Sequence, residues 1–222
     1  MKPLTFLVSF FRSHFKRHET KKFRSTYILP PPTVVWGIVG AVLGVERDGL
    51  IDFVKENNLT VGAELCSFKG LDVEKATLMS WDEGERTFIR TVEDFEFLIE
   101  PVFRIAIYAK EDLVNELKRR LEEKVIEFDL FGGISDCFLK DLNVEGHAKF
   151  ERSTNVRGMI PIKLMDGFSE IVEGSRIVSV FYLNTMFYQG YNVEFKTKQP
   201  IKTVNGIAVW DFNDVEKFRE SY

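Results

Sequence analysis

The alternation of apolar and polar positions predicts four core strands in the first two-thirds of the chain. A nearly continuous apolar run at residues 4–11 is typical of a buried strand. Residues 103–108 alternate strictly between apolar and outward-facing positions, which predicts a half-buried strand. Two further strands are predicted at residues 59–67 and 137–144.

The glycine-spaced apolar run at residues 34–44 is predicted to be a helix. Gly37, Gly40 and Gly44 are separated by three and four residues, which places them on one helix face, whereas a strand would divide them between two faces. Thr33 follows three prolines and is the predicted N-cap. No GxxxxGK[ST] pattern is present, so the glycines favour close packing of the helix on a sheet over a phosphate loop.

Three further segments complete the pattern of the first two-thirds of the chain. Residues 49–56 are predicted to extend the helical region. Residues 75–81 and 86–92 are predicted strands joined by a turn at 82–85, and Arg86 and Arg90, four apart, are predicted to share one face of the second strand. Residues 111–127 predict a helix with one apolar stripe, formed by Leu113, Val114, Leu117, Leu121 and Val125.

The order of these elements predicts the fold class. Strand, helix, strands, strand, helix and strand match a split βαβ arrangement, so we expect an α+β protein with a ferredoxin-like (RRM-like) β-α-β-β-α-β core and an inserted β-ribbon. The core is predicted at residues 1–145, followed by a small β-rich C-terminal extension at residues 146–222. In the extension, Asn205-Gly206 indicates a tight hairpin turn. RNA-recognition modules are among the many functions that this architecture supports.

Charge is concentrated at residues 12–24, which we call the basic segment. The whole chain has 30 Lys and Arg against 34 Asp and Glu, a net charge of -4. The basic segment has six cations and one acid, Glu19, a net of +5, and His14, His18, Phe15 and Phe23 lie among them. Cationic groups mixed with flat rings suit single-stranded nucleic acid, although a solvated turn has a similar composition. The six cations are Arg12, Lys16, Arg17, Lys21, Lys22 and Arg24.

Length and composition exclude several classes of protein. With 222 residues and 45% apolar content, the chain can bury a full core. The longest apolar run, residues 34–45, is shorter than the roughly 18 residues that indicate a membrane span, and no cleavable signal is recognised. Cys66 and Cys137 are too few and too far apart to indicate a disulfide framework or a zinc site. We therefore expect a cytoplasmic protein without a metal or cofactor.

Four short motifs carry a family resemblance. They are Phe11-Arg12, Thr26-Tyr27 with Pro30-Pro31, the run Trp36-Gly37-Ile38-Val39-Gly40-Ala41-Val42-Leu43-Gly44, and Phe131-Gly132-Gly133-Ile134-Ser135-Asp136-Cys137. In combination they resemble the CRISPR-associated protein family five, a subunit of the Cascade effector complex of type I systems. The resemblance implies a ferredoxin-like core with a variable C-terminal part. It also implies that the protein caps the crRNA at its 5′ handle and contacts the backbone subunit and the large subunit.

The residue chemistry fits that implied role. Arg12 and Arg24 can bind phosphates bidentately, and Tyr27 or Phe15 can stack a splayed base. Glycines at a turn can let RNA approach backbone N–H groups closely. The ribbon at residues 75–92 is expected to reach the RNA or the adjacent backbone subunit, with an ordinary edge hairpin of the sheet as an equal alternative. The predicted RNA-binding residues are Arg12, His14, Lys16, Arg17, Lys21, Lys22, Arg24, Tyr27, Arg86, Arg90, Gly132 and Gly133.

Catalysis is the alternative function. Some relatives in the family cut precursor crRNA with a Tyr, Lys and His arrangement whose Lys and His directly precede the glycine turn; here that position is Glu127-Phe128-Asp129-Leu130. A metal-independent endoribonuclease needs a base for the 2′-OH and a cation for the developing negative charge. His14, His18 and His147 remain possible bases, but we expect a non-catalytic protein. A small-molecule enzyme is not indicated, because no HxxxE cluster, paired-Cys motif or nucleophile elbow is present.

Overall fold

The computed structural model describes residues 1–19 and 23–220. Their helices are α1 (Pro32–Leu43), α2 (Leu50–Glu56), α3 (Glu111–Glu123) and α4 (Phe212–Arg219), with short 3-10 turns at Arg47–Gly49 and Ile162–Leu164. Their strands are β1 (Lys2–Phe10), β2 (Arg12–Ser13), β3 (Phe15–Lys16), β4 (Phe23–Arg24), β5 (Thr26–Tyr27), β6 (Thr60–Ser67), β7 (Gly70–Asp82), β8 (Thr87–Ile99), β9 (Val102–Ala109), β10 (Leu139–Val144), β11 (Phe150–Val156), β12 (Met159–Pro161), β13 (Met165–Tyr182), β14 (Thr185–Val204) and β15 (Ile207–Ala208).

The four predicted core strands are present and lie side by side. They occur in the order β10-β1-β9-β6, and all three pairings are antiparallel. Helices α1 and α3 contact each other and pack on this sheet, where Phe6, Val8, Phe103 and Ile105 are fully buried. The prediction of a mixed α and β fold is therefore confirmed.

Helix α1 begins and packs differently from the prediction. Its N-cap is Pro31 and no side chain caps it, so Thr33 lies inside the helix. A proline at the first helical position needs no hydrogen-bond partner for its nitrogen, which makes a polar cap at Thr33 unnecessary. A Cβ on Gly40 would lie 2.9 Å from Leu50 Cδ1, so the close approach is to helix α2 and not to the sheet. Gly44, at φ 79°, ends the helix.

Helix α3 is shorter than predicted. It ends at Glu123, and its C-cap Lys124 has a left-handed φ of 54°. The predicted apolar stripe is buried at Leu113, Val114, Leu117 and Leu121. Val125 lies beyond the helix and is 46% exposed, so its place in the stripe was wrong. A 3.6-residue period continues to match by chance after the backbone has left the helix.

Strands β7 and β8 form the predicted ribbon, which is longer than the pattern indicated. They pair without interruption from Gly70↔Ile99 to Asp82↔Thr87. Arg86 lies in the turn before β8, at φ 51°, and only Arg90 lies in the strand. Because strand alternation does not extend into the turn, the prediction that these arginines share one strand face is wrong.

The C-terminal residues continue the main sheet through β14. This strand pairs in parallel with β6 at Tyr191↔Leu65, and β11, β12, β13 and β15 all pair with β14. Asn205 and Gly206 have φ values of 50° and 77° and join Val204 to Ile207, which confirms the tight hairpin turn. The predicted boundary between residues 145 and 146 stays a prediction. No helix in the described part of the chain is long and apolar enough to cross a membrane.

Gln189 of β14 ties the C-terminal part to the segment that precedes α1. Its side chain is fully buried. Its Oε1 accepts hydrogen bonds from the backbone N–H groups of Ile28 (3.0 Å) and Leu29 (3.3 Å), and its Nε2 donates to the Leu29 carbonyl at 3.4 Å. The amide therefore satisfies backbone groups that lie outside every strand.

We predict that Gln189→Leu destabilises the fold by about 2–4 kcal/mol, because it leaves buried N–H groups without an acceptor. Denaturant unfolding of the purified variant measures this loss. Gln199→Leu is the matched control, since Gln199 is exposed and should change the unfolding free energy by less than about 0.5 kcal/mol. Equal effects of the two substitutions would contradict the assigned role of Gln189.

Candidate nucleic-acid interface

The basic segment lies against the base of the ribbon. β2 pairs antiparallel with β8 through Arg12↔Ile99, and β4 pairs parallel with β8 through Arg24↔Phe95. β3, which lies between β2 and β4 in the chain, pairs with β5, which follows β4. The two ends of the basic segment are thus fixed to one strand of the ribbon, so residues predicted from separate motifs share one surface.

Arg12 and Arg24 are held by acidic and aromatic side chains of the ribbon. Nη1 of Arg12 donates to both carboxylate oxygens of Glu74 at 2.8 Å, and its guanidinium lies 4.6 Å from the centre of the Phe97 ring. Nε of Arg24 donates to Glu93, and its guanidinium lies 4.9 Å from the centre of the Phe95 ring. The two arginines predicted to bind phosphate are therefore paired with carboxylates.

The remaining predicted cations have different surroundings. Arg17 pairs with Glu19 and donates to the Ser179 carbonyl at 3.5 Å. Among the predicted cations in the described residues, Lys16, Arg86 and Arg90 are exposed and have no carboxylate within ion-pair distance. Lys21 and Lys22 lie outside the described residues.

Two aromatic rings predicted to stack a base are buried. Phe15 is 2% exposed and Tyr27 is 1% exposed. The Tyr27 hydroxyl donates to the Phe181 carbonyl at 2.5 Å, and burial raises the pKa of the phenol. Neither ring is accessible to RNA, so the stacking prediction is wrong. Phe11 and Phe23, each four positions before one of these rings in the chain, are 57% and 42% exposed.

His14 is a core histidine and not a phosphate ligand. It is 1% exposed and lies 5.4 Å and 5.6 Å from the ring centres of Phe95 and Phe97. Nδ1–H donates to the Glu96 carbonyl at 2.8 Å, while Nε2 is buried without a hydrogen-bond partner. Burial lowers the pKa of the imidazole, and the nearby charge of Arg24 acts in the same direction. The neutral ring therefore packs within the interface.

The glycine turn at residues 131–136 lies against the basic segment, and the space beside it is filled by protein. A Cβ on Gly132 would lie 2.8 Å from the Arg12 carbonyl oxygen, and one on Gly133 would lie 2.1 Å from that of His14. The Gly132 N–H donates to the Cys137 carbonyl at 2.7 Å, and the Gly132 carbonyl accepts from the His14 N–H at 2.8 Å. These glycines serve close packing, so the prediction that Gly132 offers its N–H to RNA is wrong.

The acidic ribbon is the feature that sequence reasoning missed. Residues 70–99 contain eight Asp or Glu and three Lys or Arg, a net of -5 that opposes the +5 of the basic segment. Comparing the two net charges could have revealed this complementarity, although not which residues pair. The described residues contain no cluster of three or more His, Cys, Asp or Glu that could hold a metal ion.

A second polar cluster lies on the core sheet. Arg104 contacts Glu64 and donates to Glu145 at 2.7 Å, and Arg157 lies 3.2 Å from Glu64. These contacts raise the pKa of the Arg104 guanidinium, chiefly through its hydrogen bonds to Glu145. His147 lines a cavity of about 300 Å³ together with Arg104, Arg157, Thr5, Glu145 and Asn205. The cluster combines an imidazole with two cations, both of which are already paired with carboxylates.

A family comparison covers both sides of this interface. The model of a family described as CRISPR-associated protein (Cas_Cas5) matches residues 4–138, which include the basic segment, the ribbon and the glycine turn. The chain belongs to this family. No curated protein matches the sequence.

Solved structures similar to this Cas5-family chain are distant from it. A CRISPR RNA-guided surveillance complex chain is 15% identical with a TM-score of 0.47, and the match covers 98% of each chain. A structure titled "Crystal structure of Cas protein" is 18% identical with a TM-score of 0.43, covering 88% of this chain and 95% of the other. A chain of the Type III-B Cmr-beta complex bound to cognate target RNA and AMPPnP is 12% identical with a TM-score of 0.41, covering 86% of each.

We predict that Gly133→Ala destabilises the protein by about 2–4 kcal/mol, because the new methyl group meets the His14 carbonyl and φ is +106°. Gly37→Ala is the matched control: a Cβ there meets nothing within 4 Å, and alanine should stabilise the helix by about 0.5–1 kcal/mol. Guanidinium chloride unfolding separates the two outcomes. A neutral Gly133→Ala would contradict the close approach of the turn.

We predict that His14 makes stability fall as the medium becomes acidic. Burial holds its pKa below the usual 6.5, so below pH 6.5 the unfolded chain binds a proton that the folded chain does not. The unfolding free energy should then fall by up to about 1.4 kcal/mol per pH unit until the folded pKa is reached, with no contribution above 6.5.

Unfolding curves of the parent and His14→Gln between pH 7.5 and 5 measure this effect, since all other groups titrate in both proteins. The advantage of the parent over the variant should shrink as the pH falls. His18→Gln is the control for exchanging a histidine at an exposed position. A constant difference between parent and His14→Gln would contradict the prediction.

Proposed function

We propose that this Cas5-family protein is a non-catalytic RNA-binding subunit of a type I CRISPR Cascade effector complex. In this proposal it caps the crRNA at its 5′ handle and contacts the backbone subunit and the large subunit. The observation that carries the proposal is the fixed position of the basic segment at the base of the ribbon, inside the family match. Cations and exposed rings together suit a single-stranded RNA end.

The core strands support a ferredoxin-like assignment. Numbered by their place in the βαββαβ order, β1, β6, β9 and β10 are the first to fourth strands, and their sheet order is 4-1-3-2 with antiparallel neighbours. This is the arrangement that a split βαβ unit produces when each helix connects strands on either side of a third. We propose this core as the scaffold that presents the basic segment.

In this proposal, exposed rings in and beside the basic segment take the stacking role that was predicted for buried rings. Phe11 and Phe23 are accessible next to the paired arginines, whereas Phe15 and Tyr27 belong to the core. We therefore assign base stacking to Phe11 and Phe23, and phosphate contacts to Lys16 and to the arginines of the basic segment.

The ribbon suits contact with a protein subunit better than contact with RNA. Its net charge of -5 repels phosphates. Near its turn, Trp81 and Phe88 are 54% and 61% exposed, and their ring centres lie 5.1 Å apart. An acidic ribbon with exposed aromatic side chains fits a basic and partly apolar protein surface, so we assign it to the backbone subunit.

A non-catalytic role is favoured by what the chain places near the glycine turn. Residues 127–130 are acidic or apolar, and the nearest histidine of the basic segment, His14, is buried and neutral. Neither supplies a base to a 2′-OH or a cation to a phosphorane. We propose a cytoplasmic protein that needs no cofactor for RNA binding.

Precursor crRNA cleavage remains the second candidate, favoured by one observation. His147 lines the same 300 Å³ cavity as Arg104 and Arg157, which is the pairing of base and cation that a metal-independent ribonuclease needs. Both guanidiniums are neutralised by Glu64 and Glu145, which weakens their effect on a transition-state charge.

We predict salt-dependent binding of repeat-derived single-stranded RNA without cleavage, because the basic segment supplies phosphate contacts and residues 127–130 beside the glycine turn supply no base or cation. Fluorescence anisotropy measures binding, and a denaturing gel of precursor RNA detects products. Arg12→Ala with Arg24→Ala should weaken binding, each lost charged contact costing on the order of 1–3 kcal/mol.

If the parent produces specific product bands that disappear in the His147→Ala variant, the protein is instead a ribonuclease. Absence of any RNA binding by the folded parent would reject the proposed function altogether.

We also predict that replacing residues 81–90 by a short turn leaves a folded monomer that binds handle RNA but does not assemble with the backbone subunit. The deletion removes the exposed rings Trp81 and Phe88 while retaining the ribbon base that contacts Arg12 and Arg24. Circular dichroism checks the fold, and native mass spectrometry of a reconstitution checks assembly. Normal assembly of the shortened protein would indicate that the ribbon is only an edge hairpin.

A further inference from the structure

The ribbon carboxylates occupy the same guanidinium donors that an RNA phosphate would use. Both carboxylate oxygens of Glu74 accept a hydrogen bond from Nη1 of Arg12, and the Glu93 carboxylate accepts one from Nε of Arg24. Carboxylate and phosphate oxygens are alternative acceptors for an arginine, so the two cannot occupy one donor at the same time. RNA that contacts these donors must displace a glutamate.

Both ion pairs are accessible enough for such an exchange. The side chains of Arg12 and Glu74 are 29% and 51% exposed, and those of Arg24 and Glu93 are 25% and 19% exposed. Ion pairs that are partly exposed to solvent in this way are weakened because water competes for both partners. A phosphate can therefore replace either carboxylate without removing a buried charge from its only partner.

The aromatic rings keep the guanidiniums in place when the carboxylates leave. Arg12 lies over Phe97 and Arg24 lies over Phe95, at 4.6 Å and 4.9 Å from the ring centres. A guanidinium stacked on a ring retains donors at its edge. Phe95 and Phe97 are two residues apart on β8 and also enclose His14, so this support belongs to the folded core of the interface.

We infer that Glu74 and Glu93 are intramolecular competitors that limit the RNA affinity of the free subunit by pairing with Arg12 and Arg24. The inference rests on the proposed function and adds its regulation. Tethered carboxylates act at a high effective concentration, and RNA gains the two arginines only when enough other contacts form to displace them. This competition weakens the binding of RNAs that contact the site only through phosphates, and it favours an RNA that also makes the other contacts of the site.

The test compares two double variants that remove the same charge from the ribbon. Glu74→Gln with Glu93→Gln frees the arginines, whereas Glu83→Gln with Glu85→Gln alters the turn, about 30 Å away along the strands by the usual rise per residue. At about 0.15 M salt that distance exceeds the screening length of about 8 Å several times over. The probe is a fluorescently labelled single-stranded oligouridylate, which offers phosphates without the repeat sequence.

Freeing the arginines should tighten oligouridylate binding about fivefold, since each partly exposed ion pair is only weakly stabilising. It should also steepen the slope of log affinity against log salt by about 1.4, the value for two additional single-strand phosphate contacts. The turn variant should change affinity by less than about twofold. Adding Arg12→Ala and Arg24→Ala to the freed variant should abolish the gain.

Equal affinities and equal salt slopes for the two double variants would overturn the inference while leaving RNA binding by the parent intact. Binding by none of the folded proteins, to oligouridylate or to repeat RNA, would instead reject the proposed function. Melting curves of all variants show whether they are folded. If freeing the arginines weakens binding in a folded protein, the glutamates position the site and do not compete for it.

Discussion

The close approach between the glycine turn and the backbone of residues 12–14 fixes the candidate interface. Any side chain on Gly133 would collide with the His14 carbonyl, so only the absence of a Cβ allows these segments to touch. The hydrogen bond from the His14 N–H to the Gly132 carbonyl then sets their register. From that fixed backbone, β2 and β4 pair with the ribbon, which positions Arg12 and Arg24. The glycine turn and the basic segment are thus held together by close packing of their backbones.

The opposite net charges of the basic segment and the ribbon decide which cations of the interface are available to a phosphate. The basic segment and the ribbon have net charges of +5 and -5, and they lie side by side. Where a basic segment lies beside an acidic one, phosphate is attracted only to cations that are not paired with a carboxylate. Lys16 meets this condition, whereas Arg12 and Arg24 do not until Glu74 and Glu93 move. Net charge over a segment is therefore a poor measure of how strongly that segment binds RNA.

Periodicity predicted the elements well because strands and helices depend on local spacing. The core strands lie within two residues of their predicted bounds, and α1 was recognised from the spacing of Gly37, Gly40 and Gly44. The end of α3 was missed because the apolar stripe continues to Val125 after the backbone turns at Lys124. These are errors at element boundaries, where local pattern is least informative.

The roles of individual site residues could not be predicted from local pattern. Tyr27 is covered by the hairpin of β13 and β14, whose Phe181 carbonyl accepts its hydroxyl across 154 residues of chain. Arg12 meets Glu74 across 62 residues. Burial and ion pairing at these positions depend on tertiary contacts, so a composition that suits RNA could indicate a candidate region but not that Tyr27, His14 and Gly132 are buried or already hydrogen-bonded within the protein.

The long reach of Gln189 has a consequence for the order of folding. It satisfies the N–H group of Ile28 from 161 positions later in the chain. During synthesis the strands β1, β6, β9 and β10 leave the ribosome before β14 exists, so the amides of the segment ahead of α1 remain hydrogen-bonded to water until β14 arrives. Contacts so distant in sequence form slowly, because chain entropy must be lost before they stabilise anything. The nascent chain should therefore acquire its core sheet early and fix residues 28–29 only after translation of β14.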